Sequence, residues 1–149
     1  KSILSPLEKG LKLLETDIEK NRIKLIKVYP DNLPPIYINE NELLEVFINV
    51  LLNAIESMSE GRELKVELGR HYDPQKQDSF LEVCISDQGV GIAKENLNRI
   101  FERYYTTKEG GSGLGLSIVE RIIKAHNGFL KVESRINKGT KFFIYLPCS

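Results

Sequence analysis

The sequence predicts an α/β two-layer sandwich, a mixed and mostly antiparallel sheet with helices on one face. Three observations lead there. Strand-like runs come in pairs separated by turns, so hairpins outnumber parallel crossovers. Segments with helical spacing carry an apolar stripe on one face only, so each asks for a single partner layer. With 149 residues, 41% hydrophobic and 28% charged, the chain suits one globular domain with a sizeable core.

Ser5-Pro6-Leu7-Glu8 reads as a helix start, with Ser5 capping, Pro6 in the first helical position and Glu8 completing a capping box. Leu4, Leu7, Leu11, Leu14 and Ile18 then recur at helical spacing, giving a helix from Pro6 to Lys20. Ile23 to Tyr29 and Ile36 to Asn39 read as short strands around a Pro-rich turn. Glu42 to Met58 is the second helix, with Leu44, Phe47, Ile48, Leu51, Ile55 and Met58 as its core stripe. Leu64 to Leu68 and Leu81 to Ile85 alternate as strands about a polar loop at Asp73 to Ser79. Ala93 to Phe101 reads as a short helix and Arg103 to Ser112 as a mobile loop. A further helix begins near Leu114 and ends at Asn127-Gly128. Two strands, Phe129 to Ser134 and Lys141 to Leu146, close the chain around a turn at Asn137-Lys138-Gly139.

Twenty-one basic and twenty-one acidic residues balance, so no basic footprint points to nucleic acid or to an anionic membrane surface. No apolar run reaches the ~20 residues of a membrane span. Cys84 and Cys148 make neither a CxxC pair nor a disulfide framework, and the cytoplasm is the expected compartment. The first residue is Lys1 rather than Met, as expected of an excised fragment.

The most informative stretch is Thr106 to Val119, TTKEGGSGLGLSIV. Glycines at 110, 111, 113 and 115 lead into a helix N-terminus, where unpaired N–H groups favour an anion. With Lys108 beside them they read either as a phosphate cradle or as a flexible connector. The spacing is not that of a Walker A loop, since no Lys follows the second glycine, nor of a dinucleotide fingerprint. Protein-kinase signatures are absent as well.

Two further features call for an explanation. Glu42, Glu45, Asn49, Asn53, Glu56 and Glu60 form a polar stripe along the second helix, with two poor helix formers at its centre. They make either a neutral solvated face or side-chain carbonyls aimed into a pocket. Asp87 shares the strand parity of Leu81, Val83 and Ile85 and therefore falls on the core face, a costly place for a carboxylate. Followed by Gln88-Gly89-Val90-Gly91, it is either an Asx-turn residue or a carboxylate on a pocket floor.

Asn49/Asn53 on a helix, DQGVG after a strand, IFERYYTTK and GGSGLGLSIV stand in one order. Together they resemble the ATP-binding catalytic domain of sensor histidine kinases, in the superfamily with gyrase, the Hsp90 chaperones and MutL. NVLLNAIESM and the short lid look most like the nitrogen-regulatory type. The resemblance implies a Bergerat-type fold over residues 1–149, with residues 1–4 as linker from a helical-hairpin domain that precedes Lys1. It implies that Asn53 ligates Mg²⁺ bound to ATP, that Asp87 accepts the adenine amino group, and that Gly89, Gly91 and Ile92 wrap the base. Thr107, Gly111, Gly113, Leu114, Gly115 and Leu116 belong, on this resemblance, to the phosphate lid, and Thr140 reaches the adenine end directly or through water. Lys108 and Arg103 neutralise phosphate charge.

Asn49 stands where ATP-hydrolysing relatives place a general-base Glu, a pattern suited to a kinase that spares ATP for another acceptor. Glu56 departs from the pattern, standing where many histidine kinases carry Lys as a second cation on that helix. The implied acceptor is a histidine on a dimerisation hairpin of the same full-length protein, with a response regulator downstream. Neither His71 nor His126 lies on such a hairpin. A serine kinase of the anti-sigma type and a nucleotide-gated module that phosphorylates nothing are the alternatives.

Overall fold

The computed structural model describes residues 1–102 and 115–148. Five strands, β1 (Lys24–Val28), β2 (Glu63–Asp73), β3 (Asp78–Ser86), β4 (Phe129–Arg135) and β5 (Gly139–Pro147), form one sheet in the order β1-β2-β3-β5-β4. β1 and β2 run parallel, joined by a helical crossover; every other neighbouring pair is antiparallel. The mixed, mostly antiparallel sandwich expected from the hairpin pattern is therefore the observed fold.

Helices α1 (Leu4–Leu13), α2 (Glu15–Lys20), α3 (Glu40–Ser57) and α4 (Gly115–Ala125) complete the chain, with α3 packed between α1 and α4. Alternation along the strands sends Leu64, Val66, Val83, Ile85, Ile144 and Leu146 into the core with Leu7, Phe47, Leu51 and Ile123 of the helices. The other sheet face carries an aromatic layer. Phe129 stacks on Tyr145 at 4.4 Å, Phe80 meets Phe129 edge-on, and Lys76 lies 4.5 Å over the Phe129 ring.

Several boundaries differ from expectation. The first helix starts at Leu4, two residues early, with Ser2 Oγ rather than Ser5 accepting the Leu4 N–H at 3.2 Å. Pro6 is then the third helical residue, still within the first turn where no intrahelical N–H is required. The predicted single helix breaks at Leu14 (φ −99°, ψ 6°), and both Leu14 and Ile18 stay buried across the break. Instead of a strand, Ile36 makes an isolated bridge to Cys148 and backbone hydrogen bonds to Lys1. Asn39 caps α3 by accepting the Glu42 N–H at 3.0 Å, so that helix starts at Glu40. β2 and β3 extend to both edges of the predicted polar loop, meeting at Asp73↔Asp78 and leaving residues 74–77 as the turn.

Ala93 to Phe101 is not an α-helix. Lys94–Asn96 is a single 3₁₀ turn, and i→i+3 bonds such as Asn96 N–H to Ala93 O and Arg99 N–H to Asn96 O continue past it. On α3 the apolar stripe is wider than the sequence implies. Leu43, Val46, Val50 and Ala54 are buried too, whereas Leu44 and Ile48 are half-buried, because α3 is covered by helices on two sides as well as by the sheet.

Candidate functional site

β3 ends at Ser86, opposite Lys141 of β5, and the next residue along is Asp87. Its N–H donates to the Thr140 carbonyl at 2.9 Å. Its Oδ1 accepts two backbone N–H groups, Gly89 at 2.8 Å and Thr140 at 3.2 Å. The Gly89 bond is the Asx turn that the sequence leaves open. The turn does not exhaust the residue, however: Asp87 is half-buried, and burial pushes its pKa up against the lowering effect of the Gly89, Thr140 and Ser57 hydrogen bonds. A carboxylate is held at the end of the core face at a desolvation cost.

The chain beyond Asp87 is pinned on two sides. Val90 N–H donates to Ser57 O at 3.1 Å, and a Cβ on Gly89 would overlap Ser57. Gly91 has φ +76°, and a Cβ there would overlap the Arg135 carbonyl. Asn137 N–H donates to Val90 O at 2.8 Å, and Ile92 N–H to Ser134 Oγ at 2.7 Å. The DQGVGI segment is thus wedged between the end of α3 and the β4–β5 hairpin, and both glycines are needed for the fit.

Along α3, Asn49, Asn53 and Ser57 follow at steps of four, one row with about 6 Å between successive members. Ser57 anchors its lower end beside Asp87 and Gly89. Asn49 marks the upper end: a Cβ on Gly115, at the start of α4, would lie 2.8 Å from Asn49 Oδ1. Asn49 Nδ2 donates to the Glu45 carbonyl at 2.9 Å, leaving Oδ1 on the α4 side. Asn53 is half-buried between the two ends. The row therefore links the first residue of α4 to the Asp87 loop. Leu116 packs on the core edge just inside α4.

Asn49, Asn53, Asp87, Gly89, Gly91, Ile92, Gly115, Leu116 and Thr140 fall in this one region. Arg103, Thr107, Lys108, Gly111, Gly113 and Leu114 lie outside the described residues. Two residues that sequence reasoning passed over belong to the region. Ser57 stands one turn beyond Asn53, and helical spacing would have found it. Ser134 shares the parity of Leu130 and Val132, so the signal it carries in the sequence is the same as that of Asp87, a polar side chain on a core face. His126 serves the other end of α3: its Nε2 accepts the Asn39 N–H at 3.1 Å and its Nδ1 faces Ile122 O at 2.8 Å. His126 thus ties the end of α4 to the start of α3.

A family model described as histidine kinase-, DNA gyrase B-, and HSP90-like ATPase matches residues 38–149. Sporulation kinase E of Bacillus subtilis is 37% identical over 147 residues, covering 99% of this chain and 19% of that protein. The sensory histidine kinase/phosphatase NtrB of Rhizobium meliloti is 33% identical over 138 residues, covering 86% of this chain and 36% of that protein. Among solved structures, the catalytic domain of the histidine kinase ThkA superposes with a TM-score of 0.85 at 28% identity, covering 99% of this chain and 93% of that one. The chain spans well under half the length of these two curated relatives.

Proposed function

The chain belongs to the histidine kinase-, DNA gyrase B-, and HSP90-like ATPase family, and on that footing we propose that it is the ATP-binding catalytic domain of a sensor histidine kinase, one that donates the γ-phosphoryl group of ATP to a histidine elsewhere in the same full-length protein. The observation that carries the reading is the Asp87 carboxylate. It is half-buried, fixed by two backbone N–H groups and joined to the row Asn49–Asn53–Ser57, which runs toward the N-terminus of α4.

The two ends of that row divide the labour. Asp87, with Gly89, Gly91, Ile92 and Thr140, takes the adenine, its carboxylate accepting the amino group. Asn49 and Asn53 face the phosphates, together with Gly115 and Leu116 and with Arg103, Thr107, Lys108, Gly111, Gly113 and Leu114 from the preceding lid. Asn53 offers a side-chain carbonyl oxygen, a fitting donor for Mg²⁺. Among the described residues no group of three His, Cys, Asp or Glu side chains could hold a metal alone, which suits an ion that takes most of its ligands from phosphate and water. When bound, the ion would neutralise charge on the transferring phosphoryl group. Asn49 has no basic atom to take a proton from water, so bound ATP is kept for an incoming imidazole.

Residues 1–149 form the catalytic domain in this reading, and residues 1–4 lead in from the dimerisation and phosphoacceptor hairpin. A response regulator takes the phosphoryl group onward, with no nucleic acid and no direct membrane contact, in the cytoplasm. Among the described residues, no helix is long and apolar enough to cross a membrane. NVLLNAIESM and the match to NtrB support a nitrogen-regulatory subtype. Calorimetry tests the nucleotide half of the proposal: the chain should bind ATP with Mg²⁺ and bind GTP more weakly. Equal affinity for both, or none for either, would remove Asp87 from base recognition.

A further inference from the structure

Ser134 and Thr140 are cross-strand partners in the β4–β5 ladder; the Ser134 hydroxyl reaches the Asp87–Ile92 segment at Ile92, and the Thr140 N–H bonds Asp87 Oδ1. Ser134 Oγ has three neighbours. Ile92 N–H comes to it at 2.7 Å, the Gly139 carbonyl lies at 3.1 Å, and Thr140 Oγ1 lies at 2.8 Å.

A serine hydroxyl has one proton and two lone pairs. The Ile92 N–H can only donate, so it takes one lone pair. The Gly139 carbonyl can only accept, so it takes the proton. The contact with Thr140 is then satisfied in one way: Thr140 donates its own proton to the second lone pair of Ser134. Thr140 Oγ1 is left with lone pairs alone for anything else that approaches. One residue away along the sheet end, the Asp87 carboxylate likewise only accepts.

We propose that Ser134 is a specificity-determining positioning residue: by consuming the Thr140 hydroxyl proton it fixes Thr140 as an acceptor, so that the base-binding end of the site favours a ligand edge that donates. An amino group has two N–H bonds and can serve both acceptors, whereas a carbonyl at that position meets them with lone pairs, and the N1–H that accompanies it offers one proton in place of two. The inference rests on the adenine-nucleotide reading and adds to it a residue that touches no base itself. The rule is general to buried polar sites, where a misplaced donor or acceptor discriminates more sharply than size does.

ATP and inosine triphosphate, which exchanges the 6-amino group for a carbonyl, are the probes, and binding is read by calorimetry with Mg²⁺ on the same chain. Ser134→Ala frees the Thr140 proton to turn outward and donate to a carbonyl. The preference for ATP over inosine triphosphate should fall by about two- to tenfold, the range of one neutral hydrogen bond. Ser134→Thr keeps a hydroxyl in place and should restore the preference. In a Thr140→Val background Ser134→Ala should leave the ratio where it is. A variant that loses both nucleotides equally would reduce Ser134 to a structural tie, and a ratio unchanged in Ser134→Ala would overturn the proposal outright. A wild-type chain that binds both nucleotides equally well would defeat the adenine reading first and this inference with it.

Discussion

Asp87 and Thr140, fifty-three residues apart, are bonded in both directions. Thr140 O accepts the Asp87 N–H at 2.9 Å, and Asp87 Oδ1 accepts the Thr140 N–H at 3.2 Å. This reciprocal pair ties the end of β3 to the start of β5 at the point where the site needs a carboxylate. It also explains how a half-buried acid is tolerated there, since a backbone donor stands ready on each side of the turn.

Asp87→Asn separates stability from function. An asparagine keeps a carbonyl oxygen for the Gly89 and Thr140 N–H groups but carries no charge to desolvate. ATP affinity should drop roughly ten- to a hundredfold, the worth of a hydrogen bond to a charged group. Stability should respond in the opposite sense. Burial raises the Asp87 pKa above the ordinary 3.8, so the folded state holds the proton more tightly than the unfolded chain. Wild-type stability therefore falls, relative to the variant, as pH rises from the ordinary value through the raised one, and the deficit persists to neutral pH. Urea unfolding of both proteins at pH 3.5 and 7 would reveal it, with the variant gaining ground at pH 7.

Asn53→Ala tests the metal. The Mg²⁺-dependent part of ATP binding should disappear while adenosine binds nearly as before. Titration of both ligands with and without Mg²⁺ measures this, and equal losses for adenosine and ATP would mean that α3 had been damaged.

Gly91→Ala tests the wedge. The positive φ and the overlap with the Arg135 carbonyl should together cost on the order of 1–3 kcal/mol of stability. Nucleotide affinity should fall with it, because the carbonyl cannot move without the hairpin that carries Thr140. Chemical denaturation reports the first effect and calorimetry the second.

Much of this arrangement was legible in the sequence, and the exceptions share a cause. Asp87 announced itself through strand parity and the asparagines through helical spacing, because both periods survive folding unchanged. The start of the first helix shifted because a cap is a local choice: the capping box favours Ser5, but the earlier start goes with a fully buried Ile3 and an N–H of Leu4 bonded to Ser2 Oγ. Ile36 to Asn39 has strand composition, yet its pairing is confined to Ile36, which bridges Cys148 and exchanges backbone hydrogen bonds with Lys1. Ala93 to Phe101 has helical spacing but takes i→i+3 bonds, which bury Ile100 and set Phe101 against Phe142 at 5.9 Å. Ser57 and Ser134 were passed over because serine reads as a surface residue until its neighbours are known. What makes them matter is contact with segments 32 and 42 residues away, Gly89 for the one and Ile92 for the other.

Transfer of the γ-phosphoryl group of ATP to a histidine outside this domain is what sets the kinase reading apart from its rivals. The most direct measurement incubates the chain with γ-labelled ATP and Mg²⁺, alone and then joined to its own upstream hairpin in the full-length protein, where tethering raises the effective concentration to roughly millimolar. The isolated chain should bind ATP and carry no label, and the full-length protein should carry an acid-labile, base-stable phosphoramidate that maps to a histidine of the hairpin. Acid-stable label on a serine, or bound ATP with no label in either protein, would contradict the histidine-kinase reading.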